Sequence, residues 1–171
     1  GQRESAVSFD VGPATASKDP SVKSVGITGQ ITGGRADIIV ADDIETPKNS
    51  YTHLLRERLS ELVKEFDAVL KPLKSARILY LGTPQVEDSL YVKLTKRGYT
   101  TAIWPADIPD SVSRYSGRLA PLIARMMETM KPGEPVDPMR FSKEDLDERM
   151  LSYGAAGYAL QFRLDTSPSD A

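Results

Sequence analysis

The sequence predicts an α/β fold built around a parallel sheet, and three observations predict it. Residues 36–41 are a run of β-forming, largely apolar residues that stops abruptly at the carboxylates Asp42, Asp43 and Glu45. Residues 76–81 form a second such run, ending in Gly82-Thr83-Pro84, where Gly and Pro forbid a regular continuation. Between the two runs, Leu55, Leu59, Leu62, Val63, Phe66, Val69 and Leu70 recur at helical spacing, with Asn49 or Ser50 as the N-cap. Strand, helix and strand make a β-α-β unit, whose right-handed crossover lays both strand tips on one edge of a parallel sheet.

The remaining elements follow in order. Residues 5–11 are expected to form a first strand, 12–20 a polar loop, and 22–28 a second strand before the acidic run. Residues 88–96 read as a short helix feeding a strand over 100–104. From Pro105 onward the composition changes. Pro109, Pro121, Pro132, Pro135 and Pro138 punctuate two helical pieces, 119–130 and 143–152, and Ser142 with Asp145 makes a capping box before the latter. A last helix over 155–164 runs into a polar tail. The expected organisation is an α/β part over 1–106, a helical subdomain over 107–165, and a tail over 166–171. No internal repeat is present.

Composition bounds the function. A chain of 171 residues with 40% hydrophobic content buries a real core, and no run is long and apolar enough to span a bilayer. With no cysteine, disulfides and thiolate metal sites are excluded, and a reducing cytoplasm is the expected setting. The net charge is −2, with basic residues scattered among acids, so the sequence itself shows no basic footprint for DNA.

The acids carry the chemistry. In an open α/β sheet the ligand crevice lies at the carboxyl ends of the strands, so carboxylates placed there hold a metal ion or aim a water. Asp42, the first acid after the apolar run, is the expected metal ligand. Asp43 or Glu45 is the expected base, and spacing alone leaves the choice open. The same residues also suit a solvated surface turn. Thr83 presents a hydroxyl at the neighbouring strand tip, where it is placed to contact a bound phosphate. Arg35, just before the acidic run, is a candidate for stabilising phosphoryl charge in a neighbouring subunit, although a solvated turn residue is the commoner case. His53 alone makes no metal site, Trp104 reads as core, and Met126, Met127 and Met130 read as helix packing.

The order of these pieces is familiar. Gly33-Gly34-Arg35-Ala36-Asp37-Ile38-Ile39-Val40-Ala41-Asp42-Asp43-Ile44-Glu45 resembles a Walker B segment. Together with Ile78-Leu79-Tyr80-Leu81-Gly82-Thr83-Pro84-Gln85, Gly98-Tyr99-Thr100-Thr101-Ala102-Ile103-Trp104-Pro105-Ala106 and Tyr153-Gly154-Ala155-Ala156-Gly157-Tyr158-Ala159-Leu160-Gln161-Phe162, it resembles the large terminase subunit of short-tailed bacteriophages over almost the whole chain. That resemblance implies an ATPase of the three-layer P-loop NTPase fold, of the additional-strand, conserved-glutamate type, followed by a linker subdomain and an RNase H-like nuclease domain. It implies ATP and Mg2+ as cofactors, with Asp42 on the ion, Asp43 or Glu45 orienting the water, and Thr83 coupling phosphate release to motion. The implied partners are double-stranded DNA, the procapsid portal, a small terminase subunit and further copies in a ring, in the host cytoplasm and transiently at the procapsid, with no membrane.

One departure from the family pattern stands out. No Gly-x-x-x-x-Gly-Lys-Ser/Thr occurs, and the glycine-rich stretch Gly26-Ile27-Thr28-Gly29-Gln30-Ile31-Thr32-Gly33-Gly34 carries no Lys for the phosphates. The chain therefore reads as a piece starting inside the ATPase domain and stopping before the nuclease, expected to hydrolyse ATP poorly by itself. Two rivals are a metal-dependent phosphohydrolase or nuclease using Asp42, Asp43 and Glu45 directly, with Asp10 as a further acid, and a non-catalytic assembly module.

Overall fold

The computed structural model describes residues 7–167. They fall into two compact units, one formed by the described part of Gly1–Ile44 with Ser60–Leu81, the other by Glu45–Leu59 with the described part of Gly82–Ala171. Along the chain run β1 (Ser8–Phe9), β2 (Val22–Lys23), β3 (Ile38–Asp42), the helices α1 (Pro47–Ser50), α2 (His53–Leu62) and α3 (Glu65–Val69), and β4 (Arg77–Leu81).

In the first unit, β1 and β2 pair antiparallel, Ser8 opposite Lys23 and Phe9 opposite Val22. Both strands are shorter than expected. Gly12 and Pro13 follow β1 closely, and after β2 the chain turns at once, the Gly29 N–H donating to the Gly26 carbonyl. Ser5 and Ala6, where the first strand was expected to begin, lie outside the described residues.

The strands β3 and β4 pair in parallel, from Ile38 opposite Arg77 to Asp42 opposite Leu81. The expected β-α-β unit is therefore formed, and the chain is α/β, with its described strands in two separate two-stranded sheets. Side chains alternate across a strand, so Ile39, Ala41, Ile78 and Tyr80 share one face and Ile38, Val40, Leu79 and Leu81 the other. The first face is the covered one: the Phe66 ring of α3 stacks on Tyr80 with centroids 6.0 Å apart, and Ala41 and Val63 are buried. The second is open, with Val40 58% exposed and Leu81 53% exposed.

A single helix expected between these strands is instead three. Pro47 at the first helical position and the Thr46 N–H, which donates to the Asn49 side-chain oxygen at 2.8 Å, start α1 earlier than expected. The Thr52 hydroxyl accepts from the Leu55 N–H and begins α2 afresh. Between α2 and α3, the Phe66 N–H bonds to the Val63 carbonyl and the Asp67 N–H to that of Lys64, a tighter winding than an α-helix keeps.

In the second unit, α4 (Leu90–Lys96) begins two residues later than expected because the Ser89 hydroxyl accepts from the Tyr91 N–H and caps it. The strand expected over 100–104 is a single bridge, Ile103 beside Leu119, and Trp104 is half exposed rather than core. A short 3-10 turn (Ser113–Tyr115) and α5 (Pro121–Met126) follow, with Pro121 opening a helix shorter than the expected 119–130. The helix α6 (Lys143–Gln161) carries the expected Ser142–Asp145 capping box and is interrupted at Gly154, so the two expected helical pieces are both present. Ile108, Tyr115, Ala120, Ile123, Leu146 and Tyr158 form the core.

One charge lies inside this core. The buried Asp107 carboxylate accepts from the Tyr158 hydroxyl at 3.1 Å and from Arg163 Nε and Nη2 at 3.2 and 3.1 Å. Burial, and then the adjoining carboxylate, push the Tyr158 phenol well above its ordinary pKa, so it stays a proton donor to Asp107. A buried charge persists only when so paired. The Tyr115 hydroxyl donates to the Arg163 carbonyl at 2.8 Å, which fastens the chain leaving α6.

Gly154 has φ 71° and ψ 169°, a conformation open essentially to glycine alone, and an added Cβ would meet nothing within 4 Å. Gly154→Ala is therefore expected to cost about 1–3 kcal/mol through backbone strain alone. Urea unfolding of the full chain checks this, and an unchanged midpoint would refute the left-handed break.

Candidate functional site: the acidic strand tip and the Glu45 segment

Asp42 is the last residue of β3, opposite Leu81, and is exposed. Strand alternation puts it on the open face with Ile38 and Val40. Asp43 follows with φ 47°, in the left-handed region where Asp and Asn are tolerated better than other side-chain-bearing residues. Its N–H donates to the Leu81 carbonyl at 2.9 Å, so the ladder extends one bond past the strand and fixes the Asp43 backbone while its side chain stays exposed. The Arg35 guanidinium donates to the Ala68 carbonyl near the end of α3, and the Arg35 N–H to Asp19 Oδ2 at 3.3 Å.

Glu45, in the second unit, has a different environment. It is 3% exposed, and both its oxygens are engaged. Oε2 accepts from the Gln85 N–H and from the Ser89 hydroxyl, each at 2.8 Å, and Oε1 accepts from the Leu90 N–H at 2.7 Å. Thr83, half-buried, lies in the loop between Gly82 and Ser89. Its carbonyl accepts from Gln85 Nε2 at 3.1 Å, and the next carbonyl, that of Pro84, accepts from Gln161 Nε2 at 3.0 Å. Beside this loop Arg56 pairs with Asp88 at 3.3 Å and donates to the Ser50 carbonyl at 2.9 Å. Lys93 pairs with Glu57 at 2.6 Å, and its hydrogen bond holds the Glu57 carboxyl below its usual range. His53 is exposed.

Among the described residues, no three His, Cys, Asp or Glu side chains are grouped to hold a metal ion. Asp10 belongs to the β1–β2 hairpin, where its Oδ1 accepts from the Ser21 N–H at 3.1 Å. Gln85 and Ser89 were not legible as functional residues in the sequence. The available signal was the Ser89-Leu90 start of an apolar helical run, which marks a cap but not what the cap's hydroxyl binds.

The fold and this tip define an α/β protein with paired carboxylates on one parallel strand and a Gly-Thr-Pro turn on the next. No protein-family model matches the chain. It is 56% identical over 178 aligned positions to the terminase large subunit of Enterobacteria phage T3, an alignment taking in 100% of this chain and 30% of that protein. The chain is thus similar over its whole length to a large terminase subunit, as its motif order predicts, and spans 30% of the length of this relative. No helix among the described residues is long and apolar enough to cross a membrane.

Gly82 is required by close approach. A Cβ there would fall 1.8 Å from Tyr91 Oη and 2.4 Å from Cζ. Gly82→Ala is expected to destabilise the chain by about 1–3 kcal/mol, as overpacking does. In a Tyr91→Ala background the added cost is expected to vanish, and an additive double-mutant cycle in urea unfolding would rule out this contact.

Proposed function

We propose that this chain is part of the ATP-hydrolysing portion of a viral genome-packaging motor with the P-loop NTPase fold. Asp42 is the ligand for Mg2+. That ion takes one or two carboxylates beside substrate phosphates and water, so a single exposed carboxylate at a strand tip fits it. The bound ion supplies neutralisation of the charge on the phosphates. Asp43 orients the attacking water, and Thr83 senses the γ-phosphate and passes its state to the following loop.

The observation that carries this reading is the contrast between neighbouring acids. A base must come within hydrogen-bond reach of the water. Asp43 is exposed on a backbone fixed by the Leu81 carbonyl, whereas the Glu45 carboxylate is buried and holds three donors. The Arg35 guanidinium donates to the Ala68 carbonyl through one nitrogen, and on this reading its remaining donors stabilise phosphoryl charge in a neighbouring subunit. On this reading, double-stranded DNA is translocated by a ring of large subunits seated on the procapsid portal, supplied by a small terminase subunit, in the host cytoplasm.

The test is made in the full-length large subunit carrying this segment. Asp42→Asn is nearly isosteric but removes the charge facing Mg2+, and hydrolysis and packaging are both expected to stop. Asp43→Asn tolerates the same backbone conformation, so ATP binding is expected to persist while turnover falls about 10²- to 10⁴-fold. Wild-type ATPase rates in Asp42→Asn would falsify the assignment of the acidic tip.

A further inference from the structure

We propose that Glu45 is a positioning residue: its carboxylate ties the Gly82–Ser89 loop, and Thr83 with it, to the segment leaving the acidic strand tip. This rests on the reading of Asp42 and Asp43 as the ATP-hydrolysing tip. Two links make the tie. On one side Glu45 follows Asp43 by two residues in the chain, so displacement of the Asp43 backbone reaches it through a single intervening residue, the buried Ile44. On the other side its two oxygens accept from Gln85 N–H, Ser89 Oγ and Leu90 N–H, donors at both the middle and the end of the loop that begins with Gly82 and Thr83.

The chemistry suits a strut better than a base. Charge-assisted bonds to backbone N–H groups are among the stronger hydrogen bonds in proteins. The donors are also of a kind that admits no substitute for a carboxylate. Leu90 N–H on one oxygen and Gln85 N–H on the other can only donate. If Gln replaced Glu45, its amide NH2 would face one of these two N–H groups in either orientation, leaving a buried donor without an acceptor. The loop has a second fixing, through Gln161 Nε2 on the Pro84 carbonyl, so losing the Glu45 bonds loosens the Thr83 loop without detaching it.

Glu45→Gln, Ser89→Ala, Thr83→Val and Asp42→Asn in the full-length large subunit test this, scored by ATP turnover, KM for ATP, and base pairs packaged per ATP. Glu45→Gln is expected to keep turnover and KM within about threefold of wild type while packaging per ATP falls about tenfold, the size of effect that coupling residues carry. Ser89→Ala, which removes one donor and leaves the carboxylate, is expected to lower packaging per ATP in the same sense but less, and it decides the matter if Glu45→Gln does not fold. Combining Glu45→Gln with Thr83→Val is expected to add nothing to either single loss, since both act on one path. The inference is overturned if Glu45→Gln retains ATP binding but abolishes turnover, which makes Glu45 the base. It is overturned equally if turnover and packaging fall together in Glu45→Gln and Ser89→Ala, which makes the contact a helix cap only. Undiminished turnover in Asp42→Asn would instead remove the ATPase reading beneath it, an outcome that a change confined to packaging per ATP in Glu45→Gln cannot mimic.

Discussion

The register in which β3 and β4 pair sets the geometry of the acidic tip. Parallel pairing from Ile38–Arg77 to Asp42–Leu81 puts the two strand ends level, and the bond from Asp43 N–H to the Leu81 carbonyl closes the pair one step beyond. A slip of β3 by one residue would turn Ala41 outward and carry Asp42 to the covered face. The register is held from within by the Tyr80–Phe66 stack and at the other end by Ala36 bridging Leu70. Asp43 and Gly82 are the first residues past the paired strands, so the positions of both are inherited from packing several residues away.

The second unit applies a different principle, placing buried carboxylates where hydrogen bonds alone justify them. Glu45 and Asp107 are both nearly inaccessible to solvent, and each is surrounded by donors from distant parts of the chain. Such groups contribute little net stability compared with apolar residues of the same shape, but removing one partner is costly, which makes the local arrangement hard to exchange for another. Glu45 fixes the loop after β4, and Asp107 fixes the chain after α6 through Arg163 and Tyr158. Both are irregular segments with several short polar residues, whose composition alone would leave them loosely defined.

Much of the fold was legible in the residues. The strand that stops at Asp42, the strand that stops at Gly82, their β-α-β linkage and the capping box before α6 all came from patterns spanning a few neighbouring residues, where local chemistry decides. What the residues did not reveal depended on contacts across the sequence. Helical periodicity from Leu55 to Leu70 persists through the breaks at Thr52 and Lys64, because apolar positions report the buried face and not the continuity of the backbone. The extended reading of residues 100–104 failed because Ile103 alone finds a backbone partner, at Leu119. At the site, the sequence singled out Asp42 as the metal ligand but left Asp43 and Glu45 as interchangeable acids. Only the fold separates them, since burial of Glu45 is decided by Gln85, Ser89 and Leu90, some forty residues on.

The positive φ of Asp43 narrows what evolution can put at that position. Glycine enters the left-handed region without penalty, and Asn and Asp enter it more readily than bulkier or β-branched residues do. Of these three only Asp is anionic at neutral pH, so a backbone so shaped and a need for negative charge together leave one residue type. A glutamate would supply the charge with longer reach but would fit this backbone less well. Under the proposed role of Asp43, the identity of the side chain is selected twice, by the charge that role needs and by the turn that carries it. Drift at the position is expected to run through Asn or Gly, each of which keeps the fold and loses the charge, so that folded variants without that charge lie one substitution away.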